Sequence, residues 1–224
     1  MTYDGKTAVD LPPQTRTTDQ LEITKIAVGP MDNNAYLLRC RATGRSLLID
    51  AANDSERLLA LTGVNLDGVL TTHSHLDHWL ALEPVVSASG ATTYASSEEA
   101  GEISIPTDVI LADGDELVLG DVTLQIVGLA GHRAHYTDHI CMSLAVVHRD
   151  TDGATHAFTG DSLFPGGIGN TCEDPAAYST LLNDVTSKIF GRLPDDTWVY
   201  PGHGWDTTLG IERPQLQDWL RPGW

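Results

Sequence analysis

The chain has 224 residues, enough to bury a sizeable core, and one domain is expected rather than two. Its 31 acidic residues against 13 basic ones give a formal net charge of -18, which repels polyanions and sets nucleic acid and anionic membrane surfaces aside as partners. Three widely spaced cysteines without a C-x-x-C pair argue against a disulfide framework or a cysteine zinc site, and read as reduced thiols of a cytoplasmic protein.

Residues 1–20, MTYDGKTAVDLPPQTRTTDQ, read as a loose polar arm ahead of a single domain over 21–224. They carry no apolar h-region of a secretory signal, and nowhere do about 18 apolar residues run together to span a membrane. ITKIAVG and NAYLLRC predict strands, and NAYLLRCRATGRSLLIDA a hairpin about a glycine-containing turn. DSERLLALTG predicts a short helix closed by Gly63, and DGVLTT a short buried strand. DHWLALEPVVSASG predicts a helix that Pro84 kinks or shortens.

Beyond the strand TTYASS, VILADGDELVLGDVTLQIVGLA predicts a hairpin across Gly120-Asp121. ICMSLAVVHRDTDGATHAFTGD predicts a second at DTDG, with His148 and His156 facing solvent. EDPAAYSTLLNDVTSKIFG has the fullest helix punctuation: Asp174 to cap it, Pro175 in the first turn, Leu181, Leu182, Val185 and Ile189 on one face, and Gly191 as stop. TWVYPG is a last strand before a short tail. Strands arriving as hairpins among a few helices predict an α/β protein of two sheets covered by helices, a four-layer αβ/βα sandwich.

The chemistry concentrates in LTTHSHLDHWL, which reads His73-x-His75-x-Asp77-His78. In extended backbone, residues two apart point the same way, so His73 and His75 can meet on one ion. Asp77 and His78, where the chain turns into a helix, can reach a second. Imidazole and carboxylate suit zinc, iron or manganese, with zinc the default. Random placement of this composition gives on the order of 0.001 such matches, so the spacing carries weight. Three further strand ends deliver His132 after LQIVGLAG, Asp161 after HAFTG and His203 after WVYPG, each beside a glycine that permits a sharp turn. A loop histidine or turn aspartate explains any one of them; four strand ends in this order call for a shared metal centre.

H-x-H-x-D-H followed by G-H, T-G-D-S-L-F and P-G-H-G resembles the metallo-β-lactamase superfamily, and TGDSLF is similar to its glyoxalase II-like branch. The resemblance spans residues 21–215. It implies an αββα fold with a dinuclear site at one sandwich edge: one metal on His73, His75 and His132, the other on Asp77, His78 and His203, and Asp161 bridging. The implied enzyme is a metallo-hydrolase in which a metal-bound hydroxide cleaves a thioester or related activated acyl bond of a small-molecule substrate, with Asp77 orienting the nucleophile. A thiol-carrier conjugate is one such substrate. The same motifs occur in lactonases and other ester hydrolases, and in persulfide dioxygenases, where one iron takes His73, His132 and Asp161. Asp50, ending SLLID, reads either as a partner of a ligand histidine or as a turn aspartate.

The chain departs from that pattern in places. Secreted two-zinc β-lactamases commonly have cysteine where Asp161 stands, which argues against antibiotic hydrolysis as the native role. Glyoxalase II enzymes usually carry a basic helical extension, whereas this sequence ends about twenty residues after His203 with only Arg213 and Arg221. GHRAHYTDHI replaces a compact turn with a larger polar loop. There Arg133 fits a substrate carboxylate and Tyr136 a hydrogen-bond donor to the oxyanion, beside His135, Asp138 and His139; the competing reading is a solvated loop. GGIGNT reads as backbone passing close to the metal site, since it lacks the Lys-Ser/Thr of a phosphate loop. Thr207, Thr208 and Glu212 read as structural.

Overall fold

A computed structural model describes residues 3–132 and 141–220. Seven strands form the first sheet in chain order: β1 (Gln14–Thr17), β2 (Leu21–Val28), β3 (Asn33–Cys40), β4 (Ser46–Ile49), β5 (Gly68–Leu70), β6 (Thr92–Ser96) and β7 (Val109–Leu111). Pairing is antiparallel from β1 to β4 and parallel from β4 to β7. Parallel neighbours need crossovers, and α1 (Ser55–Thr62) and α2 (Leu82–Ser89) supply the first two. α3 (Ser97–Ala100) follows β6.

The second sheet begins with β8 (Glu116–Leu119), β9 (Val122–Ala130), β10 (Met142–Arg149) and β11 (Thr155–Gly160), an antiparallel meander. A two-stranded ribbon, β12 (Leu163–Phe164) and β13 (Gly167–Ile168), interrupts it. After α4 (Pro175–Asp184), β14 (Trp198–Pro201) returns parallel to β11, and β15 (Thr207–Thr208) closes the edge. Two one-turn helices, α5 (Leu209–Glu212) and α6 (Leu216–Trp219), end the described chain.

Period-two alternation sorts the side chains into layers. Leu124, Ile126, Leu144, Val146, Phe158 and Tyr200 face Ile23, Tyr36, Leu38 and Leu47 between the sheets. On the far side of the first sheet, Ile26, Leu37, Leu48 and Val69 pack on Leu58, Leu82 and Val85 of α1 and α2. On the far side of the second, Ala145, Val147 and Ala157 meet Leu181, Leu182, Val185 and Ile189. The result is the expected αβ/βα sandwich.

Three local expectations are revised. Residues 1–20 are not all loose: β1 adds an edge strand, and Arg16 stacks its guanidinium 3.7 Å above the Trp198 ring while Tyr3 packs edge-on against the same ring. Helix α2 starts at Leu82, after a separate 3-10 turn over Leu76–His78, so Pro84 sits in the first turn where its missing N–H costs no helical bond. Helix α4 has the predicted cap, Asp174 Oδ1 accepting from Ala176 N at 2.8 Å and Ala177 N at 3.2 Å, but Val185–Phe190 widens into a π-helical turn before Gly191.

Candidate metal centre

The C-terminal ends of β5, β9, β11 and β14 converge at one edge of the sandwich, and each delivers part of the cluster. Seven side chains gather there in two sets: His73, His75, His132 and Asp161, then Asp77, His78 and His203. Within each set the candidate ligand atoms lie within 4.8 Å of one another. All seven residues singled out from the sequence as metal ligands are thus brought together.

Hydrogen bonds orient the rings. His78 Nδ1 lies 2.8 Å from Asp50 Oδ2, a carboxylate that only accepts, so Nδ1 carries the proton and Nε2 offers its lone pair to the centre. Thr72 donates to the same carboxylate through its amide at 2.8 Å and its hydroxyl at 2.9 Å. With that hydroxyl proton committed, His73 Nδ1 at 3.0 Å must be the donor to Thr72 Oγ1, which again frees Nε2. The carbonyls of Asn170 and Met31 fix His132 and His203 in the same tautomer, at 2.9 and 3.2 Å from Nδ1. His75 differs: its Nδ1 faces the cluster, 2.9 Å from His73 Nε2 and 3.1 Å from His132 Nε2. Asp50 therefore partners His78, a candidate ligand, in line with the first of its two sequence readings.

Asp161 lies between the sets. Its carboxylate is 3.6 Å from His132 Nε2, 3.4 Å from His78 Nε2 and 3.5 Å from His203 Nε2. Burial alone would raise its pKa, but the charge of His78 and hydrogen bonding from His203 hold it well below the usual carboxylate range. His78 is likewise pushed well above an ordinary histidine: burial opposes, and the charges of Asp161 and Asp50 prevail. His203 rises to about 10 despite burial, through hydrogen bonds to Asp161 and Asp77. Buried His73 moves well below, by desolvation and the charge of His78. The cluster thus favours positive charge among its carboxylates. His78 Nε2 and Asp161 Oδ1 are buried and face each other at 3.4 Å, and among the described residues neither has a further hydrogen-bond partner, an arrangement that a cation taking both lone pairs would relieve. The donor chemistry fits divalent metal.

Close approach explains one glycine. A Cβ on Gly202 would run into Asp161 Oδ1 and stand 2.8 Å from His78 Cε1, so a larger residue there would occupy the centre itself. In the GGIGNT segment, a Cβ on Gly169 would meet the Asp161 carbonyl and Asn170 O holds His132, so that backbone does pass beside the site.

Several supporting residues have no local sequence signature. Asn33 Nδ2 donates to Asp77 Oδ2 at 2.8 Å. Buried Glu99 accepts from Ser74 N and Oγ at 2.9 and 2.5 Å, tying down the residue between His73 and His75. The loop carrying His203 is anchored by Lys25, whose Nζ donates to Gly204 O at 2.7 Å, Gly5 O at 2.9 Å and Asp206 Oδ1 at 2.6 Å. Asn34 and Tyr36 add bonds to Pro201 O at 2.9 and 2.6 Å.

His148 and His156 are not solvent-facing. They sit opposite each other in the β10–β11 register and stack at 6.2 Å, and His156 Nδ1 meets the Tyr200 hydroxyl at 2.9 Å. Both are buried because β14 continues the sheet beside β11 and Arg16 reaches over from β1 to the same hydroxyl, at 3.2 Å. Glu212 is structural, accepting from Thr207 Oγ1 at 2.6 Å and Gly166 N at 2.7 Å. Arg133, His135, Tyr136, Asp138 and His139 lie outside the described residues.

The sequence profile of the Metallo-beta-lactamase superfamily matches residues 28–206. The chain belongs to this superfamily. A hydroxyacylglutathione hydrolase of Fuscovulum blasticum is 32% identical over 176 residues, covering 77% of this chain and 62% of the relative, so the chain spans under two thirds of that protein. The hydroxyacylglutathione hydrolase GloC of Haemophilus influenzae is 31% identical over 187 residues, 74% of this chain and 83% of its own. The crystal structure of TTHA1623 in a di-iron-bound form superposes with a TM-score of 0.68 at 31% identity, covering 84% of this chain and 96% of that one. Among the described residues no helix is long and apolar enough to cross a membrane.

Proposed function

We propose that this member of the superfamily is a dinuclear metal-dependent hydrolase that cleaves a thioester or a related activated acyl bond of a small molecule. The observation that carries the reading is the Asp161 carboxylate, within 3.6 Å of His132 on one side and within 3.5 Å of both His78 and His203 on the other. A carboxylate shared between two cations offsets their repulsion. His73, His75 and His132 would hold one ion and Asp77, His78 and His203 the second. Zinc is the first expectation, and iron or manganese accept the same donors. Such ions supply Lewis acidity toward a carbonyl oxygen and lower the pKa of an attacking water.

The chain's own groups do the rest. Asp77, partly buried and held well below the usual carboxylate range by hydrogen bonds from His203 and Asn33 against the effect of burial, stays ionised and orients the nucleophile rather than storing its proton. Water's oxygen joins the acyl carbon, the carbon–sulfur bond breaks, and a proton passes to the departing thiolate. Tyr136 is assigned from sequence as the hydrogen-bond donor to the oxyanion. Hydrolases of hydroxyacylglutathione among the relatives support acyl–sulfur chemistry.

The test is turnover of small thioesters by metal-loaded protein, followed by thiol release, with oxygen uptake recorded in parallel on persulfide substrates. Thioester hydrolysis without oxygen uptake is expected. Thiol-dependent oxygen consumption by protein holding one iron would replace the hydrolase with a dioxygenase.

A further inference from the structure

We infer that the acyl group accepted by this centre is apolar, an inference that rests on the hydrolase reading and narrows it. Single exposed apolar side chains are ordinary on protein surfaces. Here they collect around the second set of ligands. Leu76, between His75 and Asp77, is 56% exposed, Met31 is 54% exposed, and Trp205, two residues past His203, is 58% exposed. Met31 is placed there by its own carbonyl, which accepts from His203 Nδ1 at 3.2 Å. The Phe164 ring lies 6.5 Å from the His203 ring, centroid to centroid. Met31 and Phe164 thus lie against His203, while Leu76 and Trp205 are exposed within two residues of a ligand along the chain, so apolar side chains gather beside the second set of ligands.

A carboxylate or phosphate on the acyl group would meet the partly buried Asp77 carboxylate and a protein of net charge -18. Among the described residues, the cation recorded beside this rim, Lys6, lies 4.8 Å over the Trp205 ring; Arg133, read from sequence as a partner for a substrate carboxylate, lies outside them. A heavily hydroxylated acyl group would bring hydrogen-bonding groups against Met31, Leu76 and Phe164, none of which can answer them. An alkyl or aryl chain removes its own surface and theirs from water together.

Full burial of one methylene is worth about fourfold in binding, and an open rim realises about half of that on a logarithmic scale, or about twofold per methylene. The experiment uses zinc-loaded protein and thioesters of one small neutral thiol, N-acetylcysteamine, bearing acetyl, lactoyl, butanoyl, hexanoyl and phenylacetyl groups. Values of kcat/KM are expected to climb along the alkyl series, with hexanoyl about tenfold or more above acetyl and lactoyl below butanoyl. A flat series, or lactoyl preferred over hexanoyl, overturns the inference while leaving the hydrolase reading in place. Failure to hydrolyse any member overturns both. The variant Leu76→Ser/Trp205→Ser, checked for unchanged circular dichroism and metal content, is expected to pull the hexanoyl-to-acetyl ratio down toward one. A ratio that stays at the wild-type value would show that the acyl chain binds elsewhere.

Discussion

Replacing Lys25 by methionine removes the charge that pairs with Asp206 beneath the His203 loop. Both side chains are fully buried, with Nζ 2.6 Å from Oδ1. The substitution keeps the volume of the stem but strips three donated bonds, leaving the carbonyls of Gly5 and Gly204 without their lysine partner and the carboxylate with Tyr3 and Trp198 alone. Breaking a buried pair from one side costs about 3–5 kcal/mol, because the remaining charge stays desolvated. For a domain of this size that corresponds to a fall in Tm of roughly 6–20 °C. Thermal and urea melts of wild type, Lys25→Met, Asp206→Asn and the double variant measure it. The single lysine variant should lose the full amount. The double variant, with no charge left to strand, should recover a substantial part of it. A loss below about 1 kcal/mol for Lys25→Met, or a double variant worse than the sum of the singles, would refute the assignment of this pair as the anchor of the loop.

Three other outcomes follow from the same contacts. Asp50→Ala removes the acceptor that sets the His78 tautomer and should weaken metal binding by about 10–100-fold in competition titrations, with little change in secondary structure. His156 is held at a pKa of about 4, by burial first and then by the charges of Arg16 and His148, so the unfolded chain binds more protons than the folded one between about pH 6.5 and 4. Stability is therefore complete above that window and falls as the pH drops through it; urea midpoints against pH should show the slope, and His156→Phe should flatten it by up to one proton. Prolonged treatment with a strong chelator should abolish activity, and zinc, iron(II) or manganese(II) added back singly should rank the metals by the activity each restores.

The layered fold was legible because alternation in VTLQIVGLA marks a strand with one exposed face, and the apolar run in MSLAVVHR marks one buried on both faces. The seven candidate residues were legible because each lies in the loop that follows a strand end, at spacings that ordinary loops do not repeat. What escaped was long-range. Lys25 lies 181 positions from Asp206 and Glu99 lies 25 from Ser74, and no local pattern marks a lysine or glutamate that will be buried. His148 and His156 looked exposed beside a polar turn, because the returning β14 and the N-terminal β1, both distant in sequence, help to cover them. Pro84 was read as kinking or shortening one helix over DHWLALEPVVSASG; the helix is shortened, restarting at Leu82, which makes Pro84 an ordinary first-turn residue.

The claim that two ions share Asp161 is tested most directly by metal analysis of the wild type beside Asp161→Ala, both purified identically and saturated with zinc. The account predicts close to two ions per chain for the wild type, and loss at both sets of ligands together with thioesterase activity in the variant. One ion per wild-type chain, or a variant that keeps a full ion and measurable turnover, would contradict it.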